Sequence, residues 1–334
     1  MAVKNILNEI ENDIADVVST NFVYNNTNLV PNGLDGQLTY ERGIEKKGKK
    51  IETCVLYVDI RNSVGLTVKH HTQTMGRIYT AFTKAILKVA RHHNGHIRNI
   101  IGDRVMIVFP VENSFKNAVE CAISINHIAK YIINKQFVGV DFKCGIGIDF
   151  GELRVIKVGI QRHGTERGEN KGLVWVGYPA NIASRLTDNA NKKITETYYN
   201  VVRNPINPRY HFKALGGLGN IGSPFSKYNF DNEPLYNMKV EETKRMTTVE
   251  FAESVKSHTD GSLYIVGGNF IRFTKETEEY DYSSILMTEA VFNGYKRANP
   301  SGIDIQNNFW KEQKHQIKNV TGKIYGGDIN WIIK

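Results

Sequence analysis

The feature that most constrains the fold is the order of strand-like and helix-like segments in the first half of the chain. The run 53–60 (TCVLYVDI) is apolar and β-branched, which is typical of a buried central strand. After it the pattern predicts a helix, two strands separated only by Gly102 and Asp103, a second helix, and two strands joined at Gly151 and Glu152, over the ranges 72–93, 96–101, 104–109, 113–135, 141–150 and 153–159. This order predicts an α+β fold in which helices cover one face of a mostly antiparallel sheet.

The segments around this core follow a less regular pattern. An amphipathic helix is predicted over 5–19, where its apolar side needs a packing surface, and a further helix begins near Pro179. The stretch 25–50 is predicted as a loop that ends in a solvated basic connector, EKKGKK. Near the C-terminus we expect a helix over 284–297 and a final hairpin over 316–333. The predicted division is an N-terminal helix and linker, a core, an insertion without a readable role, and a C-terminal part that completes the core: 1–50, 51–202, 203–281 and 282–334.

Composition excludes several classes of protein. The net charge is +9, but the basic residues are scattered, so we expect no nucleic-acid partner, whereas a triphosphate could use the same field. No window approaches the roughly 18 to 20 apolar residues that span a bilayer, and the N-terminus lacks a signal-peptide pattern, so a cytoplasmic protein without direct membrane contact is expected. The three cysteines are widely spaced in apolar stretches and are predicted to be core residues.

Two aspartates mark a candidate metal site. Asp59 ends the predicted central strand, and Asp103 lies at the tip of the predicted hairpin. If these strands are neighbours, the two carboxylates converge, and hard oxygen ligands of this kind suit Mg²⁺ or Mn²⁺. Two such cations can activate a hydroxyl and neutralise a leaving group. Either residue alone is weak evidence, because an Asp in a Gly-Asp turn is usually turn chemistry.

Four segments, in order, resemble the catalytic domain of the class III nucleotidyl cyclases. They are LYVDIRNS, with a metal-binding Asp after an apolar strand, IRNIIGDRVMIVF, with a Gly-Asp hairpin, GIGIDFGE, and VWVGYPANIASRL, with a Gly-x-x-x-Asn-x-x-x-Arg helix start. Each motif is ordinary alone, but four in register over 53–190 are specific. The resemblance implies a ferredoxin-type sandwich fold and the conversion of a nucleoside triphosphate into a cyclic monophosphate and pyrophosphate.

The resemblance also implies roles for individual residues. Asp59 and Asp103 would bind two divalent metal ions, Mn²⁺ or Mg²⁺, with the backbone carbonyl of Ile60 as a further ligand. Asn181 would orient the ribose, and Arg185 would neutralise charge on the α-phosphate. In the family these two residues come from the partner of a head-to-tail homodimer with shared sites. Their spacing of four places both on one side of a helix.

A phosphate-binding lysine is also expected from the resemblance. The family takes it from the last hairpin, where this chain offers Lys318 and Lys323 within IKNVTGKIYGG. Lys323 is preferred because it lies beside glycines in a predicted turn. Lys318 remains an alternative.

The residues at the base-reading positions indicate a pyrimidine. Purine cyclases of the family carry a Lys with an Asp, or a Glu with a Cys or similar residue, where this chain has Asn99 and Val174. Tyr57, two residues before Asp59, is expected on the metal side, where it would narrow the base pocket. Arg104 is a candidate contact to base or phosphate. This pattern resembles the pyrimidine cyclases of Pycsar antiphage defence, which produce cyclic UMP or cyclic CMP for a separate effector.

UTP is the expected substrate, by analogy with that family, and several alternatives remain open. Asn99 can pair with uracil or cytosine by turning its amide, so CTP is the first alternative. A purine cyclase is the next, and an inactive cyclase fold with a regulatory role is the last. A diguanylate cyclase and a P-loop NTPase lack their motifs here. A zinc site at His92, His93 and His96 lacks further ligands nearby.

Overall fold

The computed structural model describes residues 3–39, 45–159, 171–205, 241–265 and 268–332. The chain divides into two compact units. The first comprises Met1–Lys192 and Asp281–Lys334, and the second comprises Lys193–Tyr280. The amide of Tyr282 donates a hydrogen bond to the carbonyl of Lys192, so the two parts of the first unit meet where the second unit is inserted. Among the described residues, no helix has the length and apolar character needed to cross a bilayer.

The described residues contain nine α-helices. They are α1 (Val3–Ser19), α2 (Ser63–Lys69), α3 (Thr72–His92), α4 (Ser114–His127), α5 (Asn134–Gln136), α6 (Tyr178–Asn189), α7 (Thr248–Ser254), α8 (Glu289–Ala298) and α9 (Ile303–Gln306). A π-helical segment, Ile128–Ile133, joins α4 to α5.

The described strands form two sheets. They are β1 (Phe22–Asn26), β2 (Lys46–Ile60), β3 (His96–Ile101), β4 (Arg104–Val108), β5 (Cys144–Gly159), β6 (Lys171–Val176), β7 (Lys193–Pro205), β8 (Glu242–Thr247), β9 (Val255–Ser257), β10 (Leu263–Ile265), β11 (Gly268–Asp281), β12 (Ile285–Thr288), β13 (Lys311–Glu312) and β14 (Ile324–Gly327).

The sheet of the first unit contains nine of these strands, and its order is β13-β14-β12-β5-β2-β4-β3, with β1 beside β2 and β6 beside β5. The long strands β2 and β5 run antiparallel, from the pair Lys49–Val155 to the pair Ile60–Cys144. Only β1–β2 and β5–β12 are parallel among the pairs of this sheet. The mostly antiparallel α+β architecture expected from the sequence is therefore confirmed.

The core lies on both faces of the sheet because side chains of a strand alternate. From β2, Leu56 and Val58 face a large cluster that includes residues of α3, α4 and α8. Val55 faces the opposite way, into a smaller cluster with Met106 and with Ala183 of α6. Three helices thus cover one face as predicted, while α6 lies on the other face. This placement puts α6 on the side of the sheet to which the odd-numbered residues of β2 point.

The predicted helix 72–93 and hairpin 96–109 are confirmed, and the hairpin turn begins at Gly102 with a φ of +61°, a left-handed conformation that favours glycine. Two strand predictions were wrong. The segments 141–150 and 153–159 do not form a hairpin, because β5 continues through Gly151 and pairs with β2 on both sides of it. The basic run after residue 45 is not a solvated connector, because it forms the start of β2, beside β1, and Lys46 is buried.

The C-terminal predictions also need correction. The segment 284–297 does not begin as a helix, because residues 285–288 form β12, which adds to the sheet beside β5 before α8 starts. The final hairpin predicted over 316–333 is wrong, because β14 is the only strand of the described residues in that range and it pairs with β12 and with β13, both of which precede residue 316. In the predicted insertion, β7 already begins at Lys193, ten residues before the predicted boundary at 203, and its sheet has the order β8-β7-β11-β10-β9.

Candidate active site

The ends of two neighbouring strands bring the predicted metal-binding aspartates into one region. β2 and β4 pair up to Val58 and Val105, and continuing this register places Arg104 beside Asp59 and Asp103 beside Ile60. The pKa of Tyr79, on α3, is affected by both carboxylates. Burial raises the pKa of its phenol, and the negative charges of Asp103 and Asp59 raise it further. The two carboxylates therefore act on the same place.

Each of these aspartates keeps oxygen atoms that no described residue engages. Both guanidinium contacts of Asp59 fall on Oδ2, at 2.9 Å from Arg104 Nη2 and 3.8 Å from Arg61 Nη2. No described residue donates a hydrogen bond to its Oδ1, and none forms a hydrogen bond or ion pair with the Asp103 carboxylate. Carboxylate oxygens, with the carbonyl of Ile60 at the same strand end, form a donor set that suits Mg²⁺ or Mn²⁺.

The candidate metal site has two carboxylate side chains, those of Asp59 and Asp103. The described residues contain no group of three or more His, Cys, Asp or Glu side chains that could hold a metal ion. A cation at Asp59 and Asp103 would therefore need further oxygen ligands from backbone or from substrate phosphates, which is how Mg²⁺ is commonly held. The residues fit such a cation.

Arg61 ties Asp59 to the C-terminal end of α6. Its guanidinium is buried and donates to the carbonyl of Thr187 at 2.6 Å and to that of Asp188 at 3.4 Å. These carbonyls form the negative end of the helix dipole. Burial lowers the pKa of Arg61, and the charge of Asp59 opposes that effect. A Cβ on Gly145 would lie 2.5 Å from Arg61 Nη2, so this glycine provides the space for the guanidinium.

Arg104 makes contacts that the sequence did not predict. Besides Asp59, its guanidinium donates to Ser184 Oγ at 2.9 Å and to the carboxylate of Asp188, both on α6. Burial lowers the pKa of Arg104, but the hydrogen bonds and charges of Asp59 and Asp188 outweigh it and raise the pKa. In the sequence, the spacing of four between Ser184 and Asp188 was the available signal. It could not be used before the position of α6 was known.

The predicted ribose and phosphate residues lie on the outer side of α6. Helix α6 buries Ala183 and Leu186 against the sheet, while Asn181 and Arg185 are exposed. Neither of these two side chains forms a hydrogen bond or ion pair with a described residue. Within one chain the structure therefore does not bring Asn181 and Arg185 into contact with Asp59.

Two of the predicted base-reading residues share a face, and the third does not. Tyr57 and Asn99 both pair with Met106, so the three lie in one row across the sheet. Tyr57 is half-buried; burial raises the pKa of its phenol, and nearby Arg104 opposes this. Val174 lies on β6, where it pairs with Ile156 of β5. Three strands, β5, β2 and β4, lie between β6 and β3, which carries Asn99.

The neighbour of Val174 shows how β6 is oriented. Trp175 packs against the smaller core cluster, so strand alternation turns Val174 away from that cluster. Val174 is 39% exposed. It lies apart from Tyr57 and Asn99 within one chain.

Lys323 is exposed and forms an ion pair with Glu312, with Nζ 2.7 Å from Oε2. The hydrogen bond to Glu312 raises the pKa of Lys323, so the amine stays charged at neutral pH. Lys318 is also exposed. No contact in the described chain brings either lysine to the aspartates.

The chain is similar in sequence to pyrimidine nucleotide cyclases. No family model matches the chain. A uridylate cyclase from Burkholderia cepacia is 34% identical over 181 residues, which cover 52% of this chain and 74% of the relative. A uridylate cyclase from Gulbenkiania mobilis is 25% identical over 242 residues, or 67% of this chain and 79% of the relative. A cytidylate cyclase from Staphylococcus aureus is 29% identical over 118 residues, which cover 33% of this chain and 28% of the relative.

Solved structures give weaker likenesses. The adenylyl cyclase CyaB from P. aeruginosa matches with a TM-score of 0.37 at 18% identity, covering 42% of this chain and 73% of that one. The guanylyl cyclase Cya2 matches with a TM-score of 0.37 at 20% identity, covering 42% of this chain and 71% of that one.

Proposed function

We propose, on the premise that this chain belongs to the uridylate cyclase family of pyrimidine nucleotide cyclases, that it converts UTP into 3′,5′-cyclic UMP and pyrophosphate. The observation that carries the proposal is the meeting of Asp59 and Asp103 at neighbouring strand ends, each with carboxylate oxygens that the described residues leave unengaged. Such a pair suits a cyclase, because the 3′-hydroxyl must give up its proton to solvent as its oxygen bonds to the α-phosphate, and negative charge grows on the leaving oxygen of pyrophosphate.

Asp59, Asp103 and the carbonyl of Ile60 would hold two divalent ions, Mn²⁺ or Mg²⁺. When bound, these ions lower the pKa of the attacking hydroxyl and neutralise the departing pyrophosphate. Asp59 Oδ2 contacts Arg61 and Arg104, while Oδ1 faces no protein donor among the described residues, so Oδ1 would be the oxygen open to a cation. Positioning of the reactants supplies much of the remaining rate enhancement.

The active unit is a head-to-tail homodimer with two shared sites. Asn181 and Arg185 are exposed on α6 and turned away from the sheet of their own chain, which leaves them available to a second copy. In such a dimer Asn181 orients the ribose, and Arg185 neutralises charge on the α-phosphate of the partner's site. Lys323 would bind phosphate, which requires its ion pair with Glu312 to open.

The base pocket favours a pyrimidine. Tyr57 and Asn99 lie on one face of the sheet, and Tyr57 is two positions from Asp59 on β2, so its half-buried phenol narrows the space beside the candidate metal site. Asn99 offers an amide donor and acceptor, whereas Val174 offers neither, so the purine-reading pair is missing. The product serves as a second messenger for a separate effector in antiphage defence, a role supported by the resemblance to the Pycsar cyclases.

The test is to incubate the purified chain with Mn²⁺ and each of the four nucleoside triphosphates, and to identify the products by mass. We expect cyclic UMP from UTP well above any product of ATP or GTP, and none from Asp59→Ala. Cyclic CMP as the main product would support the cytidylate alternative. Turnover of ATP equal to that of UTP would refute the pyrimidine pocket, and no product from any nucleotide would support the inactive alternative.

A further inference from the structure

Arg104 is shared by two carboxylates that belong to different elements. Its Nη2 donates to Asp59 Oδ2 on β2 and to Asp188 Oδ1 on α6, while Nη1 donates to Ser184 Oγ. Ser184 and Asp188 are four residues apart, so they present one side of α6 to the guanidinium. Three acceptors thus hold one cation between the strand and the helix.

The two carboxylates offer different environments to Arg104. The side chain of Asp59 is 16% exposed, and that of Asp188 is 50% exposed. A charge-assisted hydrogen bond is stronger where water competes less, so the lower exposure of Asp59 strengthens its contact with Arg104, while water weakens the contact with Asp188. A divalent ion that binds Asp59 must compete with this contact.

We propose that Asp188 and Ser184 are positioning residues that hold Arg104 against α6 when Asp59 binds a divalent ion. The inference rests on the proposed function, since it requires Asp59 to be a metal ligand. Asp188 gives the guanidinium a second anionic partner. When the contact between Arg104 and Asp59 weakens, the partly buried positive charge of Arg104 therefore still has a carboxylate partner. Without Asp188, the whole of the carboxylate attraction on Arg104 comes from Asp59.

If Asp188 positions Arg104, the effect of Asp188→Asn on Mn²⁺ affinity should depend on the presence of Arg104, which a double-mutant cycle measures. Asp188→Asn should weaken binding of Mn²⁺, because Arg104 then holds Asp59 more tightly. In an Arg104→Met background the same substitution should have little effect, since no guanidinium remains to be held. A simple loss of negative charge near the cation would instead lower the affinity equally in both backgrounds.

The experiment measures free Mn²⁺ by electron paramagnetic resonance with the full-length protein and 3′-deoxyuridine triphosphate, which lacks the attacking hydroxyl. We expect Asp188→Asn to weaken Mn²⁺ binding about fivefold in the wild-type background and less than about twofold in Arg104→Met. Asp141→Asn, which removes a carboxylate paired with Lys143 on the surface, is the matched control and should leave the affinity unchanged. Arg104→Gln provides a second background if Arg104→Met fails to fold.

Equal losses in both backgrounds, or no loss in the wild-type background, would overturn the role of Asp188. Asp59→Ala separates this outcome from a failure of the proposed function. If Asp59→Ala leaves Mn²⁺ binding unchanged, the metal site itself is wrong and both proposals fall. If Asp59→Ala abolishes binding while the cycle is additive, only the positioning role is refuted.

Discussion

Asp149 should make the stability of the fold depend on pH. This residue of β5 is only 4% exposed, and its Oδ1 accepts a hydrogen bond of 2.6 Å from Thr288 Oγ1. Burial raises the pKa of its carboxyl from 3.8 to about 6, against the opposing effect of the hydrogen bonds from Thr288 and the amide of Phe150. The folded protein therefore binds this proton more tightly than the unfolded chain does.

The size of the effect follows from the shift. A folded-state pKa above the unfolded value adds stability that is fully present below about pH 3.8 and is lost as the pH rises through about 6. The whole difference is about 3 kcal/mol, of which about 1.4 kcal/mol is lost between pH 5 and pH 8. Asp149→Asn carries no titrating proton and should not show this loss.

The assay is urea unfolding of the wild type and Asp149→Asn at pH 5 and pH 8. All other titrating groups contribute equally to both proteins, so the change in their stability difference isolates Asp149, and we expect it to be about 1.4 kcal/mol. Thr288→Val removes a hydrogen bond that favours the charged carboxylate, so it should raise the pKa further and steepen the pH dependence. An Asp149→Asn variant with the pH dependence of the wild type would refute the reasoning.

Three further outcomes are expected. Asp59→Ala and Asp103→Ala should each abolish cyclisation while the chain stays folded, because each removes a carboxylate ligand from the candidate metal site; full activity with Mn²⁺ would contradict the metal site. Asp103→Ala and Arg185→Ala should each be inactive alone but recover up to about a quarter of wild-type activity when co-expressed. The reason is that about half of the dimers are then mixed, and each mixed dimer has one intact site of two. Exchange of subunits without recovery would place catalysis within one chain. Gly147→Ala should cost about 1–3 kcal/mol in unfolding free energy, because a Cβ there would clash with the backbone of α6, whereas Gly172→Ala, which has open space, is the control.

The parts of the fold that the sequence predicted are those with local signals. The apolar run that ends at Asp59 and the turn at Gly102 each carry their own pattern, and both were confirmed. The errors arose where tertiary pairing decides the structure. Gly151 carries a turn signal, yet pairing with Thr53 of β2 keeps β5 extended there. The lysines at the start of β2 are polar, but pairing with β1 places them in the sheet.

The candidate site divides in the same way. The aspartates could be found because each follows a recognisable strand or turn, whereas Arg61 and Asp188 could not be assigned before α6 was placed on the sheet. Arg104 was noticed for its position after Asp103, but its acceptors on α6 lie about eighty residues away in sequence, as the separation from Ser184 shows. A sequence pattern reports neighbours along the chain, while these contacts join residues distant along it.

The glycines of the GIGID segment contribute to the candidate site because they lack a side chain. Gly145 leaves room for the guanidinium of Arg61, and Gly147 leaves room for the backbone of α6. Because α6 can approach β5 this closely, Arg61 reaches the carbonyl of Thr187 while also lying beside Asp59. In the sequence these residues look like glycines that interrupt a strand, but their physical role is to let α6 and the strand that carries Asp59 share one buried arginine.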